Sequence, residues 1–183
     1  MGMPATHEFW TADMVRAKPD DGKRYETVHG ELLVSPAPRF WHQEIVARLF
    51  ALLRDYSQRE HVGNCVAGPA DISWGADSLV SPDILVASVE QARTLDWSRV
   101  QDLLLVVEVL SPSTQRHDRF AKRRLYQDNR VALYWIVDAD NRTVESWRPG
   151  QQFPDFSSTD VAWHPDGAAT PLVVALSELF API

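Results

Sequence analysis

The sequence predicts an α/β protein with a mixed β-sheet flanked by helices and an N-terminal β-hairpin. Three observations carry this. Leu103 to Leu110 (LLLVVEVL) is apolar on both faces, the pattern of a central strand covered from both sides. Ile45, Leu49, Leu52 and Leu53 recur at helical spacing between Trp41 and Arg59, with Gln43, Glu44, Arg48 and Arg54 mostly elsewhere. Short apolar runs bounded by Gly, Pro, Asp and Asn alternate with these helical stretches, as strands interleaved with helices do.

In chain order, residues 7–18 read as a short helix. Tyr25 to Val28 and Glu31 to Val34 form a hairpin about His29-Gly30, where Gly30 supplies the positive φ such turns need. Ser35-Pro36-Ala37-Pro38 ends the second strand, and the 41–59 helix follows. Residues 62–73 and 79–87 are expected as two strands about Gly75-Ala76-Asp77. Pro82 donates no ladder bond, so the second belongs at an edge or carries a bulge. Residues 90–101 make a short helical connection to the central strand. Residues 116–129 are helical, and 132–138 with 142–148 form another hairpin about Ala139-Asp140-Asn141. The tail from 150 reads as loop-rich, with a last short helix near 175–180.

One domain is expected for 183 residues, long enough to bury a core without staples. The single cysteine, Cys65, excludes an internal disulfide framework and a thiolate zinc site. No apolar run approaches a membrane span, and the first residues lack the apolar stretch of a signal peptide, so a cytoplasmic protein is expected. Met1-Gly2 with Thr6 fits the loose myristoylation pattern, a chance match because only two positions are fixed. A net charge of −7 argues against a general nucleic-acid coat but not against a local basic patch. The phosphate-binding loop, the dinucleotide fingerprint, the zincin HExxH and the hydrolase GxSxG are all missing.

The chemistry concentrates elsewhere. Glu108 sits inside the central apolar run. A buried carboxylate must be paired, protonated or bound to a metal; otherwise it is a strand-end Glu reaching water. Asp83, in Ser81-Pro82-Asp83, opens an apolar strand 25 residues earlier, or else caps a turn after Pro82. On neighbouring strands the two would suit a hard cation such as magnesium, which accepts one or two carboxylates and keeps waters. Only three lysines stand against 15 arginines, which draws notice to Lys122. On a helical wheel it falls between Leu125 and Tyr126, facing inward, while Arg119, Arg123 and Gln127 fall on the other side. The plainer alternative is a lysine whose stem packs and whose head reaches solvent. Residues 116–130 carry six Arg or Lys against two Asp, which fits phosphate binding or a solvated helix face.

Tyr25-Glu26, Gly30-Glu31-Leu32, His42, Ser81-Pro82-Asp83, the run Val107-Glu108-Val109-Leu110-Ser111-Pro112-Ser113-Thr114, then Asp118, Lys122, Tyr126 and Tyr134 to Asp138 occur in that order. The set resembles the Uma-type family of restriction-endonuclease-like proteins, within the PD-(D/E)XK nuclease superfamily, over about residues 20–148. The resemblance implies a restriction-endonuclease-like core within one domain of 1–183, with 150–183 as a C-terminal extension. It implies Asp83 and Glu108 as magnesium ligands, manganese being able to substitute, with the Val109 carbonyl as a further ligand. The superfamily lysine would stand at position 110, which is Leu here. Family members are similar in moving it to the following helix, at Lys122. Glu31 and His42 would line the site; Arg116, Arg119 and Arg123 would hold phosphates; Asp138 caps its turn. The implied activity is metal-dependent phosphodiester hydrolysis in DNA by Asp83, Glu108 and Lys122, in a homodimer if both strands are cut. Two alternatives stay open: a catalytically silent module of the same fold that binds DNA or dimerises, and a metal-dependent hydrolase of a small phosphate ester.

Overall fold

A computed structural model describes residues 8–183; the Met1-Gly2 pattern and the first residue of the 7–18 helix lie outside them. Helix α1 (Ala12–Arg16) opens the fold, with the Thr11 side chain accepting from the Met14 N–H. The hairpin β1 (Arg24–Val28) and β2 (Glu31–Ser35) pairs Thr27 with Leu32 and Val28 with Glu31. Its two turn residues, His29 and Gly30, both have positive φ (50° and 81°), which two-residue turns of this hand require. Helix α2 (Phe40–Glu60) follows the Pro36–Pro38 break and ends on His61 in the left-handed region. It buries Ile45, Val46, Leu49, Leu53 and Tyr56. Leu52, expected in that stripe, lies on its flank and is exposed, because Val46 and Tyr56 turn the buried face away from it.

The two strands expected at 62–73 and 79–87 are four. They are β3 (Asn64–Ala67), β4 (Ile72–Ser73), β5 (Leu79–Val80) and β6 (Ile84–Ala87). Each long run is interrupted at a proline, Pro69 and Pro82, and crosses there from one sheet to the other. Pro82 therefore marks a crossing between sheets, where no ladder bond is asked of it. A short helix α3 (Val89–Ala92) and a 3₁₀ turn (Trp97–Arg99) lead to β7 (Leu103–Val109). A π-helical segment (His117–Lys122) runs directly into α4 (Arg123–Asp128), followed by β8 (Tyr134–Asp138) and β9 (Thr143–Trp147).

The tail is loop-rich and ends in the expected short helix, α5 (Leu176–Leu179), but it also holds strands not expected there: β10 (Asp155–Ser157) and the hairpin β11 (Asp160–Trp163) and β12 (Leu172–Ala175). Val161, Trp163, Val174, Leu176 and Leu179 pack into the same core as α2. Exposed positions alternate with these buried ones along β11, so the hairpin covers the core with one face only.

The main sheet has six strands in the order β10-β9-β8-β7-β6-β3, with β7 and β8 parallel and every other pair antiparallel. A smaller sheet runs β2-β1-β5-β4. The central β7 alternates with period two. Leu105, Val107 and Val109 face the α2 core, while Val106 and Leu110 face a second core with Val28, Leu33, Leu125 and Tyr126. Glu108 shares the parity of Val106 and Leu110, so its side chain enters the side occupied by the hairpin and α4. Among the described residues no helix is long and apolar enough to cross a membrane.

Candidate active site

Asp83 leads into β6 and is fixed by its surroundings. The Gly68 N–H donates to its backbone carbonyl (2.8 Å). Gly68 also lies so close to the Pro82 carbonyl that a Cβ there would sit 2.6 Å from the oxygen, so the approach needs glycine. The Asp83 side chain is 4% exposed. Its Oδ1 accepts from Arg24 Nη1 (3.0 Å), and its Oδ2 accepts from the Val109 N–H (2.9 Å) and lies 3.2 Å from His42 Nε2. Burial alone would raise its pKa. The His42 contact, the Arg24 charge and the Val109 N–H outweigh burial and hold the carboxyl at about 2.

One strand over, Glu108 is 2% exposed. Its Oε1 accepts from both Lys122 Nζ (3.0 Å) and Tyr126 Oη (2.9 Å). Burial pushes Glu108 well above the ordinary carboxylate range. The Lys122 charge opposes that shift, and Asp118, Asp83 and Glu26 add to it.

Lys122 is brought inward by the π-helical segment, which faces Asp118 and Lys122 to the interior together. Its Nζ lies 2.9 Å from Glu26 Oε2, 3.0 Å from Glu108 Oε1 and 3.5 Å from Asp118 Oδ1. Burial disfavours the ammonium, but Glu108, Glu26 and Asp118 more than compensate and keep it charged. Glu26 holds the other sheet to this cluster: its Oε1 accepts from the Ser81 N–H (2.7 Å), two residues before Asp83.

These groups line a pocket of about 200 Å³, with Arg39, Thr114 and the 111–113 loop completing its walls. Four buried carboxylates (Glu26, Asp83, Glu108 and Asp118) face two permanent cations within bonding distance, Arg24 and Lys122. Asp118 Oδ1 and His42 Nδ1 are buried without a hydrogen-bond partner. A pocket in which four buried carboxylates meet two permanent cations fits a divalent cation. No three His, Cys, Asp or Glu side chains among the described residues converge on one point. The arrangement therefore suits an ion that keeps waters rather than a closed protein cage.

Asp83, Glu108, Lys122, Val109 and His42 thus meet in one pocket. Glu31 does not: it begins β2 on the exposed side and lines a separate groove with Arg116 and Phe120, because the hairpin turn carries it past the pocket. Arg116 is exposed in that groove. Arg119 is taken up by Glu145 (2.8 Å) and Asp138 (3.0 Å), and Arg123 lies over the Trp147 ring, 4.6 Å from its centroid. Neither lines the pocket. Asp138 accepts from the Asn141 N–H and so caps its turn.

Three members of the pocket went unassigned in the sequence: Arg24, Glu26 and Asp118. Glu26 shares strand parity with the buried Val28, and Asp118 stands four residues before Lys122, so both carried a readable signal. Arg24 carried none, its partner lying 59 residues away.

The fold and the pocket define the class: a mixed α/β sheet protein of nuclease type, with acidic strand residues and a helical lysine at one end of the central strands. The chain belongs to the Uma2 family, described as "putative restriction endonuclease", which matches residues 12–177. Among solved structures it resembles a protein from Anabaena variabilis described as a "putative nuclease belonging to DUF820". That likeness has a TM-score of 0.76 and 19% identity, covering 94% of this chain and 98% of the other, and it concerns the fold. No curated protein matches the chain.

Proposed function

We propose that this chain is a divalent-metal-dependent endonuclease that hydrolyses phosphodiester bonds in DNA at the pocket between Asp83, Glu108 and Lys122. The observation that carries the reading is the convergence of those three side chains, from the approach to β6, from β7 and from the helical segment that follows it, in a pocket where carboxylates outnumber permanent cations. Asp83 and Glu108 would hold magnesium or manganese, with the Val109 carbonyl as a further ligand. When bound, such an ion would supply a water of lowered pKa and offset charge on the phosphate. Arg24 and His42 fix both oxygens of Asp83, and Tyr126 fixes Glu108 Oε1. Lys122, kept charged by its carboxylate neighbours, supplies a fixed positive group against the charge that develops on the phosphoryl oxygens. If both strands of a duplex are cut, a homodimer would match the twofold symmetry of the substrate.

One observation favours a second reading, a catalytically silent relative that binds DNA: both Asp83 oxygens are already engaged by Arg24, His42 and the Val109 N–H. Purified protein with supercoiled plasmid and Mg²⁺ separates the two. Nicking by the wild type that vanishes in Asp83→Ala and Glu108→Ala supports the nuclease. DNA binding that is indifferent to metal, with no scission, supports the silent relative. Turnover of a generic phosphodiester while plasmid stays intact assigns the pocket to a small phosphate ester.

A further inference from the structure

We infer that the groove beside the pocket, lined by Glu31, Arg116, His117, Phe120, Ala121 and Arg124, binds an unpaired stretch of DNA, with Phe120 stacking on a base and Arg116 and Arg124 meeting phosphates. The inference rests on the nuclease reading for the kind of ligand and adds to it a single-stranded segment beside the scissile bond.

Phe120 is 64% exposed, on a segment whose other face buries Asp118 and Lys122. Among the described residues its ring joins no buried core and no aromatic pair. The four arginines between residues 116 and 128 divide into two sets. Arg119 and Arg123 are engaged by Glu145, Asp138 and Trp147. Arg116 is exposed and makes no ion pair among the described residues. Arg124 pairs only with Asp128 at 3.9 Å, both side chains being more than half exposed, a pair worth little in water. The two uncommitted arginines are the two that line the groove. Among the described residues Glu31 is the one acid that lines it, against Arg116 and Arg124, so the lining carries a net positive charge in a chain of net charge −7.

Position ties the groove to the pocket. Thr114 and Asp118 line the pocket, and Arg116 and His117 between them line the groove, so one stretch of backbone forms the wall of both. A strand whose phosphate enters the pocket continues along Arg116 towards Phe120. Stacking decides between single and double strands. In a duplex each base face is covered by its neighbours, and a ring entering there must first unstack them at a cost of about a few kcal/mol, so an exposed ring stacks more cheaply on an unpaired base. A protein-docking face would present a contiguous apolar cluster; here a single ring stands among cations.

Fluorescence anisotropy in EDTA tests this without cleavage, using labelled oligo-dT and a labelled duplex. Wild type is expected to bind oligo-dT more tightly than duplex. Phe120→Ala is expected to weaken oligo-dT binding by roughly 5- to 150-fold, the range for loss of one stacked base, with its melting temperature unchanged. Arg116→Ala combined with Arg124→Ala is expected to reduce the slope of log affinity against log salt by about 1.4, the value for two phosphate contacts on a single strand. Equal or tighter duplex binding by wild type, or unchanged oligo-dT binding by Phe120→Ala, overturns the inference. Phe120-dependent oligo-dT binding in a protein that never nicks plasmid would leave the groove standing and remove the nuclease reading.

Discussion

Lys122 Nζ lies 2.9 Å from Glu26 Oε2, joining the helix after the central strand to the hairpin of the smaller sheet through two buried charges. The same ammonium reaches Glu108 on the main sheet. One side chain thus bridges two sheets and neutralises part of a four-carboxylate cluster. Buried ion pairs add little net stability when complete, but they are costly to break from one side, because the remaining charge has no partner.

Lys122→Met is therefore expected to lower stability by roughly 3–5 kcal/mol in EDTA, read as a shift in the urea midpoint. Adding Mg²⁺ at about ten times its Kd should return ~1.4 kcal/mol of that loss, since the ion takes over charge that the ammonium carried. A variant as stable as wild type, or one unmoved by Mg²⁺, contradicts this account of the cluster.

Asp83 sets a pH dependence whose sign follows from its depressed pKa. Held at about 2 in the fold, below its unfolded value, it contributes stability at neutral pH. That contribution is present above the unfolded pKa and is lost as pH falls from about 5 through 2, roughly 2–3 kcal/mol in all. Glu108 and Asp118, pushed up by burial, have the opposite sign: their contribution is present when protonated and fades as pH rises through their folded values. In Asp83→Asn the unpaired Arg24 should lower absolute stability, while the decline between pH 5 and 2 becomes shallower. Equal slopes for wild type and variant, in denaturation series at each pH, would falsify the assignment.

Much of the site was legible because chemistry and pattern coincided. Glu108 interrupts an apolar run, and such an interruption needs a partner. Lys122 lies on the apolar stripe of its helix with Leu125 and Tyr126, and the stripe survived the π-helical distortion upstream of them. Glu31 was misplaced for a local reason. Strand alternation gives the face a residue occupies but not where along the sheet the pocket stops. Arg119 and Arg123 looked like phosphate ligands because their partners, Glu145 and Trp147, lie more than 20 residues downstream. The split of the 62–73 and 79–87 runs between two sheets was marked by Pro69 and Pro82, but prolines alone do not say which sheet takes each half.

Cys65 offers a test of the core behind the site. It lies on β3, is 1% exposed, and burial pushes its thiol up to about 12, against a smaller opposing effect of Arg54. Reaction with disulfide reagents needs the thiolate and access to it. At pH 8 the native protein should leave the thiol unmodified for hours and react fully in urea. Stoichiometric labelling of the native state within minutes would mean that β3 opens readily from the sheet edge.

The tail provides the sharpest check on architecture. Trp163 on β11 is 3% exposed, and its ring centroid lies 5.5 Å from that of Tyr56 on α2. The Tyr56 hydroxyl in turn donates to the Thr170 carbonyl (2.7 Å), fastening the β11–β12 connection to the same helix. A residue in a dispensable extension costs little to truncate, whereas a buried indole in a shared core costs about 3–5 kcal/mol. Trp163→Ala should therefore lose that much in a single cooperative urea transition. Phe156→Ala, at a residue of β10 that is 65% exposed, should change stability by less than ~0.5 kcal/mol. Equal, small losses for both would make 150–183 an appendage; a large loss for Trp163 alone makes it part of the wall against which α2 and the central strands are held.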